Sequence, residues 1–304
     1  MKNIRIGTRG SPLALIQTQE VMDKLLEYHP FLKGRLEVIP IKTAGDTIMD
    51  RSLIDLGGKS LFTKEIEHAL LKEEIDLAVH SMKDVTVDCL EGLLFPAMLE
   101  REDPRDALIS RGGIPFETLP KGTLFGTSSL RRQAYVLNKF PHVTPISLRG
   151  NVSTRIEKVK TGEVDATLLA VAGLKRLGLM NEITQILSLE DCLPAVAQGA
   201  IGIQCREKDF NLLEILSPIN HPVTFATITA ERAFMKTLNG SCRTPVAAYA
   251  TFEGETLTLK GMICNPNGHN MRFVTHKGLA SHSKKIGCEA ANILLKEGTC
   301  PTFS

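Results

Sequence analysis

Arginine, lysine, hydroxyl and acidic side chains gather in four short segments: Thr8-Arg9-Gly10-Ser11, His80-Ser81-Met82-Lys83-Asp84, Thr127-Ser128-Ser129-Leu130-Arg131-Arg132 and Arg149-Gly150-Asn151-Val152-Ser153-Thr154-Arg155. A guanidinium fork matches the oxygens of a carboxylate or phosphate, and a serine or threonine hydroxyl adds a neutral donor. A helix that starts at such a segment contributes free N–H groups and the positive end of its dipole. Together these types could grip a small anion with several acidic groups. A single segment of this kind reads as ordinary helix capping with solvated arginines. Four of them at the carboxyl edge of an open α/β sheet, where such sheets bind ligands, favour the anion site.

Asp84 stands among these cations, where a carboxylate could act as a catalytic acid or stabilise a developing positive charge. Spacing alone allows a helix cap or an ion pair with Lys83 equally well. Cys242 lies in Asn239-Gly240-Ser241-Cys242-Arg243-Thr244-Pro245, beside an arginine that could activate its thiol. Taken alone it reads as a small apolar packing group, like most free cysteines. Gly57-Gly58-Lys59-Ser60 forms a hinge bearing a cation, and residues 46–56 ahead of it are long enough for a lid or for a plain surface loop. Gly-x-Gly-x-x-Gly and Gly-x-x-x-x-Gly-Lys-Ser/Thr spacings are absent, so nucleotide binding lacks support. The eight histidines and seven cysteines show neither His-x-x-x-His nor Cys-x-x-Cys, and no metal is expected.

These segments must be positioned by strands and helices. Residues 4–8 read as a strand, followed by Ser11-Pro12 as N-cap and first turn of a helix. Strands at 36–41 and 75–79 and a helix at 61–71 continue the alternation, which predicts a largely parallel sheet covered by helices. The charged run 100–106 with Pro104 marks a crossing. Beyond it, strands 123–126, 144–148 and 166–170 alternate with helices 130–138 and 154–160. Residues 193–200 form a second crossing, after which 201–204 returns as a strand to the first sheet. Helices at 224–238 and 283–295 and strands at 246–251 and 256–262 make a third region. The predicted class is α/β in three domains: 1–99 with 200–217, then 105–193, then a smaller α+β domain at 218–304. No repeat of fixed period is present.

Composition narrows the function. A net charge of +2 and 5% aromatics argue against a general nucleic-acid binder. The apolar stretch 166–174, bounded by Asp165 and Lys175, falls well short of the roughly 20 residues that span a bilayer. An odd number of cysteines suits a reducing compartment, no export signal is expected at the N-terminus, and a cytoplasmic protein follows.

The chain resembles the hydroxymethylbilane synthase (porphobilinogen deaminase) family over nearly its full length. The resemblance is carried by Thr8-Arg9-Gly10-Ser11-Pro12-Leu13-Ala14, Gly57-Gly58-Lys59-Ser60-Leu61-Phe62, Ala78-Val79-His80-Ser81-Met82-Lys83-Asp84, Thr127-Ser128-Ser129-Leu130-Arg131-Arg132, Leu148-Arg149-Gly150-Asn151-Val152, Gly173-Leu174-Lys175-Arg176-Leu177 and Ala197-Gln198-Gly199. It implies two domains resembling periplasmic binding-protein lobes with the active site between them, and a small third domain. It also implies a transferase of porphyrin and haem biosynthesis, which condenses four porphobilinogens head to tail with loss of ammonia. A dipyrromethane cofactor, made from substrate, would be joined by a thioether to Cys242. Asp84 would be catalytic, with Lys83, Asp84, Ser129, Arg131 and Arg132 on the cofactor. Arg9, Ser11, Arg149, Arg155 and Arg176 would bind substrate carboxylates, and Lys59 and Phe62 would sit at the entrance. Thr86 stands where many relatives carry proline, and Ser241 and Arg243 depart from the commoner surroundings of the cysteine. A monomer acting on porphobilinogen and the growing pyrrole chain is expected, without nucleic acid or membrane. A non-catalytic two-lobed binding protein for an organic anion would share the basic loops but would need neither Cys242 nor Asp84.

Overall fold

Ile4 and Ile6 alternate inward on the first strand while Gly7 leaves room for a neighbour, and this pattern sets the first of two similar sheets. The computed structural model describes residues 3–47, 63–240 and 244–296. Among these, the first compact unit holds 3–47, 63–102 and 199–225, and the second holds 103–198 and 226–296. The chain starts in the first unit with β1 (Ile4–Arg9), α1 (Pro12–Tyr28), β2 (Leu36–Ile41), α2 (Ala44–Thr47), α3 (Lys64–Leu71), β3 (Leu77–Ser81) and β4 (Leu93–Met98). It continues in the second with β5 (Asp106–Ser110), β6 (Leu124–Gly126), α4 (Leu130–Lys139), β7 (Thr144–Ile146), α5 (Val152–Lys160), β8 (Ala166–Ala170), α6 (Val171–Arg176) and β9 (Gln185–Ile186). It then returns as β10 (Ile201–Arg206) and α7 (Phe210–Leu216), crosses within α8 (Pro222–Thr237), and ends in β11 (Val246–Glu253), β12 (Thr256–Ile263), β13 (Arg272–Leu279) and α9 (Ser283–Lys296).

The first sheet has the order β2-β1-β3-β10-β4 and the second β7-β6-β8-β5-β9. In both, the strand second from one edge pairs in parallel with its two neighbours, and the fourth runs antiparallel to both of its own. The two sheets therefore repeat one topology without a repeat of sequence period. The expected parallel alternation holds for β1, β2 and β3 and for β6, β7 and β8. It fails at β10 and β5, each fed by a crossing segment rather than by the helical crossover that parallel neighbours require.

Prolines mark the edges. Pro40, Pro96 and Pro145 lie in β2, β4 and β7, all outermost strands, where a missing N–H leaves no gap in a ladder. Glycines mark the crowded interior. A Cβ on Gly7 would meet the Ile75 side chain, and one on Gly126 would meet Leu148 at the corresponding place in the second sheet.

Helix packing closes each core. In the first unit Val21 and Leu25 of α1 lie against Ile6, Leu77, Val79, Ile201 and Ile203. Each fully buried aliphatic side chain contributes roughly 1.5–3 kcal/mol relative to exposure. In the second, Leu108, Phe125, Tyr135, Val136 and Leu168 share one cluster, and Ile109, Leu148, Ile156 and Leu169 another. The antiparallel sheet β11-β12-β13 belongs to this second unit, where Ala247, Met262 and Cys264 pack with Ala134 and Leu193. Glu231 of α8, fully buried, ties the unit together by accepting from the backbone N–H of Ala197 at 2.7 Å and of Ala250 at 2.8 Å.

The contact at Gly126 generates a test. Gly126→Val overpacks the space filled by Leu148 and Val164 and should destabilise by about 1–3 kcal/mol. The shift is read as a lower urea midpoint at unchanged slope.

Candidate active site

In the first unit the strand ends present their polar groups because their neighbours are anchored. Ser11 is the N-cap of α1, its Oγ accepting from the Ala14 N–H at 3.3 Å, and Pro12 opens the first turn. That cap fixes the chain just beyond Arg9. On the far side, Met82 and Val85 are buried, and the Met82 N–H donates to the Ala200 carbonyl at 3.0 Å. Lys83 and Asp84, between these two anchors, stay half-buried. Asp84 Oδ2 lies 4.0 Å from Arg9 Nη1, a longer contact than a direct salt-bridge hydrogen bond.

Beneath this loop β3 is held by a buried polar chain. His80 Nε2 donates to Gln204 Oε1 at 3.0 Å, and Gln204 Nε2 donates to Glu67 Oε1 at 3.2 Å. Burial pushes the Glu67 carboxyl up from its ordinary value. These contacts hold β3 to β10 and α3, and so steady the segment from which Lys83 and Asp84 project.

The second unit collects the remaining basic segments. Ser129 caps α4 by accepting from the Arg132 N–H at 3.5 Å, and the Ser129 N–H in turn donates to Thr127 Oγ1 at 3.2 Å. Asn151 caps α5, accepting from the Thr154 N–H at 2.9 Å, and Arg155 Nε donates to the Gly150 carbonyl at 2.8 Å. Arg149 and Arg155 are half-buried, and Arg176 lies half-buried in the last turn of α6. The view of these segments as capping loops with solvated arginines is correct about the caps and wrong for Arg131 and Arg132. Both arginines are buried, on a carboxylate that sequence reasoning did not single out.

That carboxylate is Asp106, fully buried at the first position of β5. Arg131 Nη2 donates to its Oδ2 at 2.6 Å and Arg132 Nη2 to its Oδ1 at 2.7 Å. Gln198 Nε2 adds a bond to Oδ1 at 2.9 Å and another to the Pro104 carbonyl at 2.6 Å. Arg131 Nη1 also donates to the Leu193 carbonyl at 2.9 Å and lies 3.6 Å from Cys192 Sγ. Burial alone would push the Asp106 carboxyl up, but the two arginines outweigh it and hold it well below the usual carboxylate range. Burial, then the Asp106 charge, pushes the Cys192 thiol up to about 12, leaving it an inert packing group. Asp106 could have been suspected as an acidic residue opening the apolar strand 107–109. In sequence it merges with the charged run 100–106 that marks the crossing. Lys59, Phe62 and Cys242 lie outside the described residues.

Two family models match the sequence. Residues 4–214 match the description "Porphobilinogen deaminase, dipyromethane cofactor binding domain", and residues 225–296 match "Porphobilinogen deaminase, C-terminal domain". The chain belongs to the porphobilinogen deaminase family. The chloroplastic porphobilinogen deaminase of Oryza sativa subsp. japonica is 49% identical over 278 residues, 90% of this chain and 78% of that protein. The chloroplastic enzyme of Pisum sativum is 48% identical over 298 residues, 96% of this chain and 81% of that protein. Among solved structures, an arginine-specific periplasmic binding protein of Salmonella typhimurium aligns over 74% of this chain and 94% of its own, at 16% identity and a TM-score of 0.41. The ligand-binding component of a Staphylococcus aureus ABC-type import system aligns over 79% and 76%, at 13% identity and a TM-score of 0.41.

Deaminases of this family carry a dipyrromethane, and the donors present here suit its acidic side chains. Nε of Arg131 and Nε of Arg132 are both buried without a hydrogen-bond acceptor. An N–H left in that condition costs roughly 1–3 kcal/mol, and a carboxylate oxygen would remove the cost. Two guanidiniums share one carboxylate, so the cluster also retains net positive charge where a buried counter-anion is favoured.

The Asp106 cluster makes stability sensitive to acid. A carboxylate held below its unfolded value contributes fully above about pH 4 and loses that contribution as the pH falls towards its folded value. Urea stability should therefore fall with acidification below about pH 4, and Asp106→Asn should flatten that part of the profile.

Proposed function

We infer that the chain performs the hydroxymethylbilane synthase reaction of porphyrin biosynthesis, joining four porphobilinogens head to tail with release of ammonia. Membership of the deaminase family across residues 4–214 carries the reading, with near-half identity to two deaminases over most of the chain. The dipyrromethane, when bound, supplies the pyrrole carbon on which the chain is extended.

The protein's own residues supply charge and placement. Each condensation breaks the bond between the aminomethyl carbon of porphobilinogen and its nitrogen, and ammonia departs with the electron pair. A cation delocalised over the pyrrole remains until a new carbon–carbon bond forms and the attacked ring loses its α-proton. Asp84 is assigned to that cation: a carboxylate beside the pyrrole N–H stabilises positive charge as it develops and can help move the proton. Arg9, 4.0 Å from Asp84, sits where it can hold an acetate or propionate group while remaining the counter-cation of Asp84. Ser11 has its Oγ engaged as the α1 cap, so what it can offer a carboxylate is its O–H.

In the second unit Lys83's counterparts are arginines. Arg131, Arg132 and Lys83, with the Ser129 hydroxyl, are assigned to the carboxylates of the bound dipyrromethane, and Asp84 to its pyrrole N–H groups. Arg149, Arg155 and Arg176 are assigned to incoming substrate and growing chain. Every added porphobilinogen brings two carboxylates, so a run of fixed cations matches the accumulating charge. Cys242 is the proposed thioether anchor, and Lys59 and Phe62 the proposed entrance.

The proposed arrangement is a monomer of three domains, 1–99 with 200–217, 105–193 and 218–304, working in the cytoplasm without nucleic acid or membrane. A net charge of +2 supports the exclusion of nucleic acid, and no helix among the described residues is long and apolar enough to cross a membrane. The absence of Cys-x-x-Cys among seven cysteines supports a reducing compartment.

Intact-protein mass spectrometry tests the anchor. Protein folded with access to porphobilinogen should exceed its bare chain mass, and Cys242→Ala should not; a bare mass for the unaltered protein would remove the covalent cofactor. For Asp84→Ala, the expected outcome is turnover lower by about 10²–10⁴-fold in a folded protein. Unchanged turnover would take Asp84 out of the chemistry.

A further inference from the structure

Asp106 does not hold its arginines in the usual way. A carboxylate that grips one guanidinium through two parallel bonds consumes a whole edge of the fork. Here the two oxygens are divided, Oδ2 to Arg131 Nη2 and Oδ1 to Arg132 Nη2, at 2.6 and 2.7 Å. Each arginine is thus pinned through one terminal nitrogen on the carboxylate. Each also keeps an Nε–H that is buried and has no acceptor.

The supports of Asp106 show that the pose is built. Its backbone pairs within the sheet, with Asp106 opposite Ala170, and its carboxylate is steadied by Gln198 from the crossing segment at 2.9 Å. Arg131 is further fixed by the Leu193 carbonyl at 2.9 Å. Removing the carboxylate would leave two adjacent buried cations, which repel one another and seek other partners.

We propose that Asp106 is a positioning residue for the cofactor: by dividing one carboxylate between Arg131 and Arg132 it holds both guanidiniums with their Nε edges unspent and leaves one net positive charge to receive a pyrrole carboxylate. The proposal rests on the deaminase reading. It assigns to Asp106 no contact with the ligand and no part in proton transfer. Its effect falls on the acquisition of the dipyrromethane, ahead of turnover.

The test uses full-length protein made in a host that cannot form porphobilinogen. Folding is checked by circular dichroism, porphobilinogen is added, and the gain in intact mass is followed with time. Unaltered protein should load. Folded Asp106→Asn should load more slowly by about 30-fold or more, the scale expected when a buried partner of charged groups is removed. Asp106→Glu keeps the charge but carries the carboxylate one methylene further, and should also load more slowly than the unaltered protein. A merely structural Asp106 would lower the melting temperature while folded protein loaded at the unaltered rate, and that result would overturn the proposal. Should Asp106→Asn fail to fold, Asp106→Glu decides by the same measure: slowed loading supports the proposal, and loading at the unaltered rate overturns it. If the unaltered protein gains no mass, the deaminase reading fails and this proposal falls with it.

Discussion

Burying two guanidiniums side by side is costly, and the second unit is organised around how that cost is met. Charges taken out of water must be paired and hydrogen-bonded or they destabilise the fold by several kcal/mol. Asp106 supplies one negative charge for two positive ones, and Gln198 and the Leu193 carbonyl occupy further polar atoms. The compensation is incomplete by one charge and two N–H groups. That shortfall is a structural liability in the bare chain, and in the proposed function it becomes the affinity for carboxylates. The same atoms serve both because binding energy can complete what folding leaves open.

The first unit solves a different problem, that of presenting the carboxylate proposed to act on substrate without letting it wander. Asp84 is not buried, and its partner Arg9 is at 4.0 Å rather than in direct contact. Its position is set by its neighbours: Met82 and Val85 are sunk into the core, and β3 beneath is held by His80, Gln204 and Glu67. A group so displayed remains accessible to a substrate while its backbone is confined. The two units thus use opposite devices, a buried pair in one and an anchored loop in the other.

The local rules of the chain were readable where structure is local. Ser11-Pro12 announces α1, and Ser11 caps it as expected. Ser129 caps the helix expected from 130, while Asn151 starts α5 at Val152, two residues ahead of the expected start. The sequence reading gives no strand at β4, β5, β9 or β13: β5 is apolar and buried but short, and it merges with the charged run before it. β4 contains Pro96, which edge position permits, and β13 carries Phe273 and Leu279 exposed among polar residues, blurring its alternation. The antiparallel direction of β5 and β10 depends on which strand a crossing segment joins, a long-range fact that no window of sequence contains. In the site, the arginines were visible as types, but their burial was not. Asp106 meets Arg131 and Arg132 from 25 and 26 residues away and Gln198 from 92, so its role emerges only in three dimensions. The proposed thioether role of Cys242 rests on family resemblance, since its sequence surroundings offer Arg243 but no nearby histidine as a base.

The place of β10 has a consequence for synthesis on the ribosome. In the first sheet β10 lies between β3 and β4, so that among the described residues β4 has no strand partner until residues 201–206 have been made. The second sheet has no such wait, because all five of its strands fall between Asp106 and Ile186. As the chain emerges, the middle of the sequence can close its sheet before the beginning can. The apolar edges of β3 and β4 stay uncovered during that interval, an exposure that favours aggregation in slowly completed sheets. Nascent chains stalled before residue 201 should therefore be the ones that chaperones hold.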